Sequence, residues 1–256
     1  MTCQYEGTML AKETQEGEAI LDIKAIIFDF DGVIAETESI HREAWLAMGD
    51  ERDLPLPEGF LDRGIGSTMD KLCWELFEFW ERYVPLQEIH DSKAEQFRRV
   101  VAERPDVLVP GVIEAIQKLT GLGFPLGIAT SSPLKEIEPL LEVHAVSRMF
   151  SSIVTLDSVR MPKPDPESYL KSANNLKVLP QECLVFEDSI IGVTAARKAG
   201  MHVVGVLTSF KAKDLEPVAD TIDDFHQIPN IIKLINASGL SQSNRLPDES
   251  HSQKLP

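Results

Sequence analysis

AIIFDFDGVIAETESIH, residues 25–41, opens with an apolar run that ends in two aspartates, Asp29 and Asp31, with only Phe30 between them. An unbroken Ala/Ile/Phe run bounded by a turn signal reads as a strand buried on both faces, as in a parallel sheet. Side chains alternate along a strand, so Asp29 and Asp31 project to the same side at its carboxyl tip. Two like charges beside a core repel each other. A cation between them would offset that repulsion.

Further runs of the same kind follow: FPLGIAT (124–130), SSIVT (151–155), CLVFED (183–188) and HVVGVLT (202–208). Helical patterns separate them, so the fold class is α/β with a central parallel sheet. Helix punctuation agrees. Ser132-Pro133 suits a helix start, Pro110-Gly111 precedes VIEAIQKL, and Gly200 follows VTAARKA as a C-terminal cap. One stretch breaks the alternation. From Glu43 to Asp106 only helical patterns occur, such as DKLCWELFEFWERY and SKAEQFRRVVAE. The expected organisation is therefore an α/β core from 22–42 and 109–237, interrupted by a helical cap at 43–108. Residues 1–21 and 238–256 lack apolar periodicity and are rich in polar residues, so they read as disordered tails.

Composition limits the partners. With 25 Lys and Arg against 41 Asp and Glu, the formal charge is −16, which disfavours nucleic acid and anionic membrane surfaces. The three cysteines, Cys3, Cys73 and Cys183, form no CxxC pair, as expected of reduced thiols in a cytoplasmic protein without a zinc site. The polar, acidic first twenty residues resemble no leader, and no apolar run reaches membrane-spanning length. A cytoplasmic monomer or small homo-oligomer is the expectation.

Ligands of open parallel sheets bind at the carboxyl ends of the strands. Those ends carry Asp29-Phe30-Asp31-Gly32, then Thr130-Ser131-Ser132, then Lys163 in the loop MPKPDP, then Glu187-Asp188-Ser189. Each alone is ordinary: a solvated acidic turn, a helix cap, a surface lysine. Together, at four successive strand ends, they make a set of oxygen donors with one lysine. Such a set suits Mg²⁺, which prefers oxygen ligands and shares its shell with phosphate. Asp29 and Asp188 could flank the ion, with a backbone carbonyl near Asp31 completing the protein ligands. An EF-hand is excluded, because its fifth position would be Val33 and a strand precedes the loop. GLGFPLG (121–127) precedes its strand and lacks dinucleotide spacing, and GFLDRGIGST (59–68) has no Walker lysine.

The order DFDGV, strand-end threonine, KPDP, and FEDS with G-x-x-A-A-x-x-A-G-M resembles the haloacid dehalogenase superfamily. It is closest to the branch with a helical cap after the first strand, which holds β-phosphoglucomutases and sugar-phosphate phosphatases. The resemblance covers residues 24 to about 210 and implies a Rossmann-like core. It implies Asp29 as nucleophile, Asp31 as general acid/base protonated at the first step, and Lys163 as the cation that neutralises the phosphoryl oxygens. Thr130 would clamp phosphate, with Gly32, His41, Ser131 and Ser132 as substrate contacts. Asp29, Asp31, Glu187 and Asp188 would form the Mg²⁺ site. Thr37 and His41 match hinge positions of the mutase-like branch, and Glu36 stands where that branch usually has aspartate.

Ser67 aligns where β-phosphoglucomutases carry an arginine for a second phosphate. Arg63 or Lys71 could substitute, although a lysine does not reproduce a bidentate guanidinium. The cap aromatics Trp74, Phe77, Phe79 and Trp80 read as cap core rather than substrate slot. The implied activity is Mg²⁺-dependent hydrolysis of a small phosphorylated metabolite, a sugar phosphate above all. A phosphoglucomutase is the enzymatic alternative, and a receiver-like signalling module the non-enzymatic one.

Overall fold

The computed structural model describes the backbone of residues 12–13, 19–64, 69–104 and 107–236, and the side chains of the same residues except 12–13, 19–20, 63–71 and 236. Six parallel strands form the central sheet: β1 Ala25–Phe28, β2 Leu126–Ala129, β3 Phe150–Val154, β4 Cys183–Glu187, β5 His202–Val206 and β6 Asp220–Ile222. Their order is β3-β2-β1-β4-β5-β6, the doubly wound order in which direction reverses beside the first strand. The five expected runs all form strands. The edge strand β6 was not foreseen, because DTI is short and mostly polar.

Alternation along the strands sorts the core into two layers. Ile26, Phe28, Leu184 and Phe186 face one buried cluster. That side is covered by α5 (Val112–Gly121), α6 (Leu134–Val143) and α10 (Ile228–Asn236). Ala25, Ile27, Cys183 and Val185 face the other, beneath α7 (Glu167–Leu176), α8 (Ile190–Lys198) and α9 (Ala212–Leu215). The first cluster centres on aromatic rings. Phe28 stacks on Phe186 at 5.1 Å and meets Phe150 edge-on at 6.0 Å, and Phe225 lies against both Phe28 and Phe186.

Between β1 and β2 the chain forms α1 (Glu38–Arg52), α2 (Phe60–Gly64), α3 (Met69–Trp80) and α4 (Leu86–Glu103), with no strand among the described residues there. The inserted helices have a core of their own, including Trp45, Met48, Phe60, Leu76 and Ile89. The helix that enters this insertion begins at Glu38, ahead of the expected boundary at 43, and its Ile40 and Ala44 pack into the sheet's cluster. Of the cap aromatics, Phe77 is buried, and Trp80 donates its indole N–H to the Pro55 carbonyl at 2.7 Å. Trp74 and Phe79 are exposed, so the cap-core expectation fails for them.

Ser67, and the side chains of Arg63 and Lys71, lie outside the described residues, as do most of both expected tails. Within the first tail, Lys12–Glu13 pairs antiparallel with Ala19–Ile20. No described helix is long and apolar enough to cross a membrane.

Truncating the central ring tests this packing. Phe28→Ala should cost about 3–5 kcal/mol of unfolding free energy, as loss of a fully buried aromatic does. Denaturant unfolding measures it, and a loss below about 1 kcal/mol would mean that the cluster is not the packed centre described.

Candidate active site

Register places the acids. Phe28 pairs with Phe186 across β1 and β4, so Asp29 and Glu187 follow side by side, on the face opposite the aromatic cluster. The Asp29 amide donates to the Phe186 carbonyl at 3.0 Å, which holds the tip of β1 against β4. Asp29, Glu187 and Asp188 each offer an oxygen within 4.8 Å of the others, and all three are buried.

Lys163 answers part of that charge. Its Nζ lies 2.9 Å from Asp29 Oδ1 and 2.7 Å from Glu187 Oε1, and its side chain is 3% exposed. Glu187 is further tied down by its second oxygen, which accepts from the Ser189 amide at 2.9 Å and the Ser189 hydroxyl at 3.0 Å. Asp188 accepts from Ser209, and from Thr208 at 3.4 Å. Thr208 shares that one proton with the Gly32 carbonyl, at the shorter distance of 2.6 Å, so the end of β5 closes the site from the far side.

Two glycines make room for these acids. Gly32 has φ +71°, and a Cβ there would stand 1.9 Å from Asp188 Oδ2. A Cβ on Gly192 would stand 1.5 Å from Glu187 Oε1. Glycine is therefore required at both positions by the carboxylates themselves.

One lysine cannot settle three acids. Burial pushes the Asp29 carboxyl well above its ordinary value; Lys163 opposes this, while Glu187, Asp188 and Asp31 add to it. Asp188 is pushed up to about 7 by burial and by the Glu187 charge. Glu187 is held low despite burial, because Lys163 is its immediate partner. Although Lys163 Nζ is so near, the buried Oδ1 of Asp29 accepts no hydrogen bond. An orphaned carboxylate oxygen within a tight set of hard oxygen donors fits a divalent cation such as Mg²⁺.

The Asp31 carboxylate stands apart from that cluster. It accepts from Thr37 and Ser132, each at 2.5 Å, from Thr130 at 3.4 Å, and from His41 Nε2 at 3.3 Å. Lys93 Nζ lies 2.8 Å from His41 Nδ1. An ammonium only donates, so Nδ1 accepts and the His41 proton sits on Nε2, facing Asp31. Lys93 is itself buried against Glu136, at 3.0 and 3.1 Å. A continuous chain thus runs from Glu136 on α6 through Lys93 on α4 and His41 on α1 to Asp31. Burial would raise the Asp31 pKa, but the His41 hydrogen bond, with those of Ser132 and Thr37, holds it well below the usual carboxylate range. The expected proton on Asp31 therefore does not belong to this arrangement, in which every neighbour donates.

Thr130 and Ser132 line the same corner, with the Ser132 amide donating to Thr130 Oγ1 at 3.0 Å. The expected Ser132-Pro133 helix cap is replaced by Asp157, which accepts from the Leu134 amide at 2.8 Å and frees the Ser132 hydroxyl for Asp31. Ser131 and Ser132 line a cavity of about 660 Å³ with Asp29, Asp31, Gly32 and His41. Its roof is the cap, including Trp45, Phe60, Leu61 and Leu72, rather than the aromatics singled out from sequence. Sequence reasoning missed Tyr169, Ser209, Lys93 and Glu136. Of these, Tyr169 lies near a sequence motif, six residues after Lys163, but nothing local marks its role.

Acids that tolerate one another only around a cation, beside a buried lysine and beneath a lid of helices, meet the needs of phosphoryl transfer. The fold and the site together define a phosphohydrolase. The chain belongs to the haloacid dehalogenase-like hydrolases, whose family model matches residues 26–206. It is 32% identical over 219 residues to the phosphorylated carbohydrates phosphatase of Thermotoga maritima, covering 82% of this chain and 99% of that one. It is 30% identical over 190 residues to a β-phosphoglucomutase of Bacillus subtilis, covering 72% and 83%. Among solved structures, CbbY of Rhodobacter sphaeroides in complex with phosphate matches with TM-score 0.72 at 26% identity, over 80% of this chain and 96% of that one. The protein is an enzyme, a phosphoric monoester hydrolase, which sets aside the receiver-like reading.

The Asp188 shift has a measurable sign in metal-free protein. The folded state keeps a proton up to about 7 that an unfolded carboxyl releases near 3.8. Folded protein then binds more protons than unfolded, so stability falls as pH rises from about 4 to about 7 and levels off above. Melting temperatures in EDTA should follow that course, with Asp188→Asn less steep and more stable at about pH 8. Parallel curves for the two proteins would show that Asp188 is not the strained acid.

Proposed function

We propose that the enzyme is a Mg²⁺-dependent phosphatase of small phosphorylated metabolites, sugar phosphates above all, working through an aspartyl-phosphate on Asp29. The observation that carries this reading is the pairing of Asp29 with Lys163 inside a three-acid cluster at the floor of a closed-over cavity. The cavity volume suits a monosaccharide phosphate. The carbohydrate phosphatase relative and the phosphate complex of CbbY support the substrate class.

In this reading Asp29 Oδ attacks phosphorus, and the phosphorus–oxygen bond to the leaving alkoxide breaks. Mg²⁺ held by Asp29 and Asp188, with Glu187 beside them, would supply positive charge to the phosphoryl oxygens and keep the nucleophile ionised. Lys163, 2.9 Å from Asp29, adds its charge, and the Thr130–Ser132 turn offers hydroxyl and amide donors to the same oxygens. Asp31 gives the leaving alkoxide its proton and afterwards takes one from the water that hydrolyses the aspartyl-phosphate. The contacts that keep Asp31 ionised suit the second task. The first requires that it gain a proton as it leaves Thr37 or Ser132.

A mutase is the second reading, favoured by the β-phosphoglucomutase relative. A mutase holds two phosphates at once. Among the described residues, each lysine or arginine lining the cavity already faces a carboxylate, and Lys163 is the one that also serves the transferred phosphoryl group. Arg42 pairs with Asp62 at 2.9 Å, Lys135 with Asp91 at 2.7 Å, Lys93 with Glu136, and Lys163 with Asp29. That favours a substrate with a single phosphate and a neutral remainder.

Phosphate release from a panel of sugar phosphates, with Mg²⁺ and with EDTA, tests the proposal. Release should require the metal and vanish, by at least 1000-fold, in Asp29→Asn, in line with loss of a nucleophile. Interconversion of glucose 1- and 6-phosphates without release would favour the mutase. Asp188→Ala should raise the Mg²⁺ concentration for half-activity at least tenfold, and an unchanged requirement would remove Asp188 from the metal site.

A further inference from the structure

Tyr169 sits in the first turn of α7, wholly buried among Ala25, Ile27, Ala129 and Val185. Every other requirement of that apolar pocket would be met by phenylalanine. A hydroxyl placed there is costly unless it is hydrogen-bonded. It has two partners. Lys163 Nζ lies 3.0 Å from the hydroxyl oxygen, and the hydroxyl lies 2.9 Å from Glu187 Oε1.

Donor counting fixes the directions. The ammonium can only donate and the carboxylate can only accept, so Tyr169 accepts from Lys163 and gives its one proton to Glu187. Burial raises the phenol pKa well above its ordinary value, and the Glu187 and Asp29 charges add to this, so the donor proton stays in place. Lys163 also donates directly to Glu187 Oε1 at 2.7 Å. The three groups close a ring.

That ring uses two of the three ammonium protons. The remaining N–H makes no hydrogen bond within the protein, although Asp29 Oδ1 stands 2.9 Å from the nitrogen. A lysine ammonium is a point charge on a flexible four-carbon stem, with nothing of its own to fix its direction. Glu187 by itself would hold it at one point and leave it free to rotate about that contact. With Tyr169 as a second point, and the ring face 4.7 Å from Nζ, the ammonium has a single orientation.

The geometry points to Tyr169 as a positioning residue for phosphoryl transfer: its buried hydroxyl, bonded to both Lys163 and Glu187, holds the Lys163 ammonium beside Asp29 and leaves its third N–H for the phosphoryl oxygens. The donor is thus oriented before substrate arrives, and preorganised donors are what lower the barrier to charge development. Pleat parity explains how a helix residue reaches the site. Asp29 and Glu187 project to the face that α7 covers, so the residue beneath their carboxylates comes from that helix.

The inference rests on the phosphatase reading, and Tyr169→Phe tests it while removing one oxygen and no packing volume. With the preferred sugar phosphate and Mg²⁺, kcat should fall ten- to a hundredfold while KM stays within about threefold, as for loss of one hydrogen bond to a charged group. Inhibition by orthovanadate should weaken by the same factor as kcat. The melting temperature, read alongside, checks that the variant is folded, and cold assays serve if it is lowered.

A second readout needs no activity. In protein with isotope-labelled lysine, the sheltered Lys163 ammonium should give a slowly exchanging NMR signal, assigned by its loss in Lys163→Arg. Tyr169→Phe should speed its exchange at least tenfold. A parent that releases no phosphate yet shows this protected signal, lost in Tyr169→Phe, would sink the phosphatase reading and leave the positioning role standing. Parent-like kcat, vanadate affinity and ammonium exchange in Tyr169→Phe would make Tyr169 a packing residue and overturn the inference.

Discussion

Burying Asp29, Glu187 and Asp188 within 4.8 Å of one another is the constraint from which the rest of the structure follows. Bare carboxylates at that spacing, away from water, either take up protons or require cations. Lys163 supplies one charge from within the chain. It suffices for Glu187, which is held low, and not for Asp29 or Asp188, which are pushed up. That unrelieved charge fits a divalent cation held among the three carboxylates.

The fold delivers these groups economically. Parallel register aligns the tips of β1 and β4, and the reversal of strand order beside β1 opens a crevice at those tips. Gly32 and Gly192 clear the space the carboxylates occupy. The inserted helices turn the open crevice into a cavity, and the Glu136–Lys93–His41 chain joins both units to Asp31. Two carboxylates two residues apart thus have opposite surroundings. Asp29 sits among acids and one ammonium, and Asp31 among donors. Such divergence is how one stretch of chain can provide both a nucleophile and an acid/base.

The sheet and most of the acids were legible because they are local. A strand-end acid is written as an apolar run followed by Asp or Glu, and DFDG, KPDP and FEDS each fall within a few residues of a strand. What escaped depends on contacts between distant elements. Lys93 and Glu136 are one lysine and one glutamate among many on charged helices, and nothing local marks them as buried partners. Tyr169 reads as one apolar position of an amphipathic helix until the pleat of β4 sets Glu187 above it. Asp157 capping α6 in place of Ser132 required the turn after β3 to approach that helix. The donors that hold the Asp31 carboxyl low escaped for the same reason, since they come from β2's tip, α1 and the preceding turn. The exposed Trp74 and Phe79 show that aromatic spacing on a helix does not reveal how many layers will cover it.

The central claim is that Asp29 carries the phosphoryl group, and chemical trapping reaches it directly. Enzyme turning over a sugar phosphate with Mg²⁺ is quenched and reduced with borohydride, which converts an aspartyl-phosphate to homoserine, and the peptides are sequenced by mass spectrometry. The account predicts homoserine at position 29 alone. Homoserine at position 31 or 188, or none in enzyme that is turning over, would contradict it.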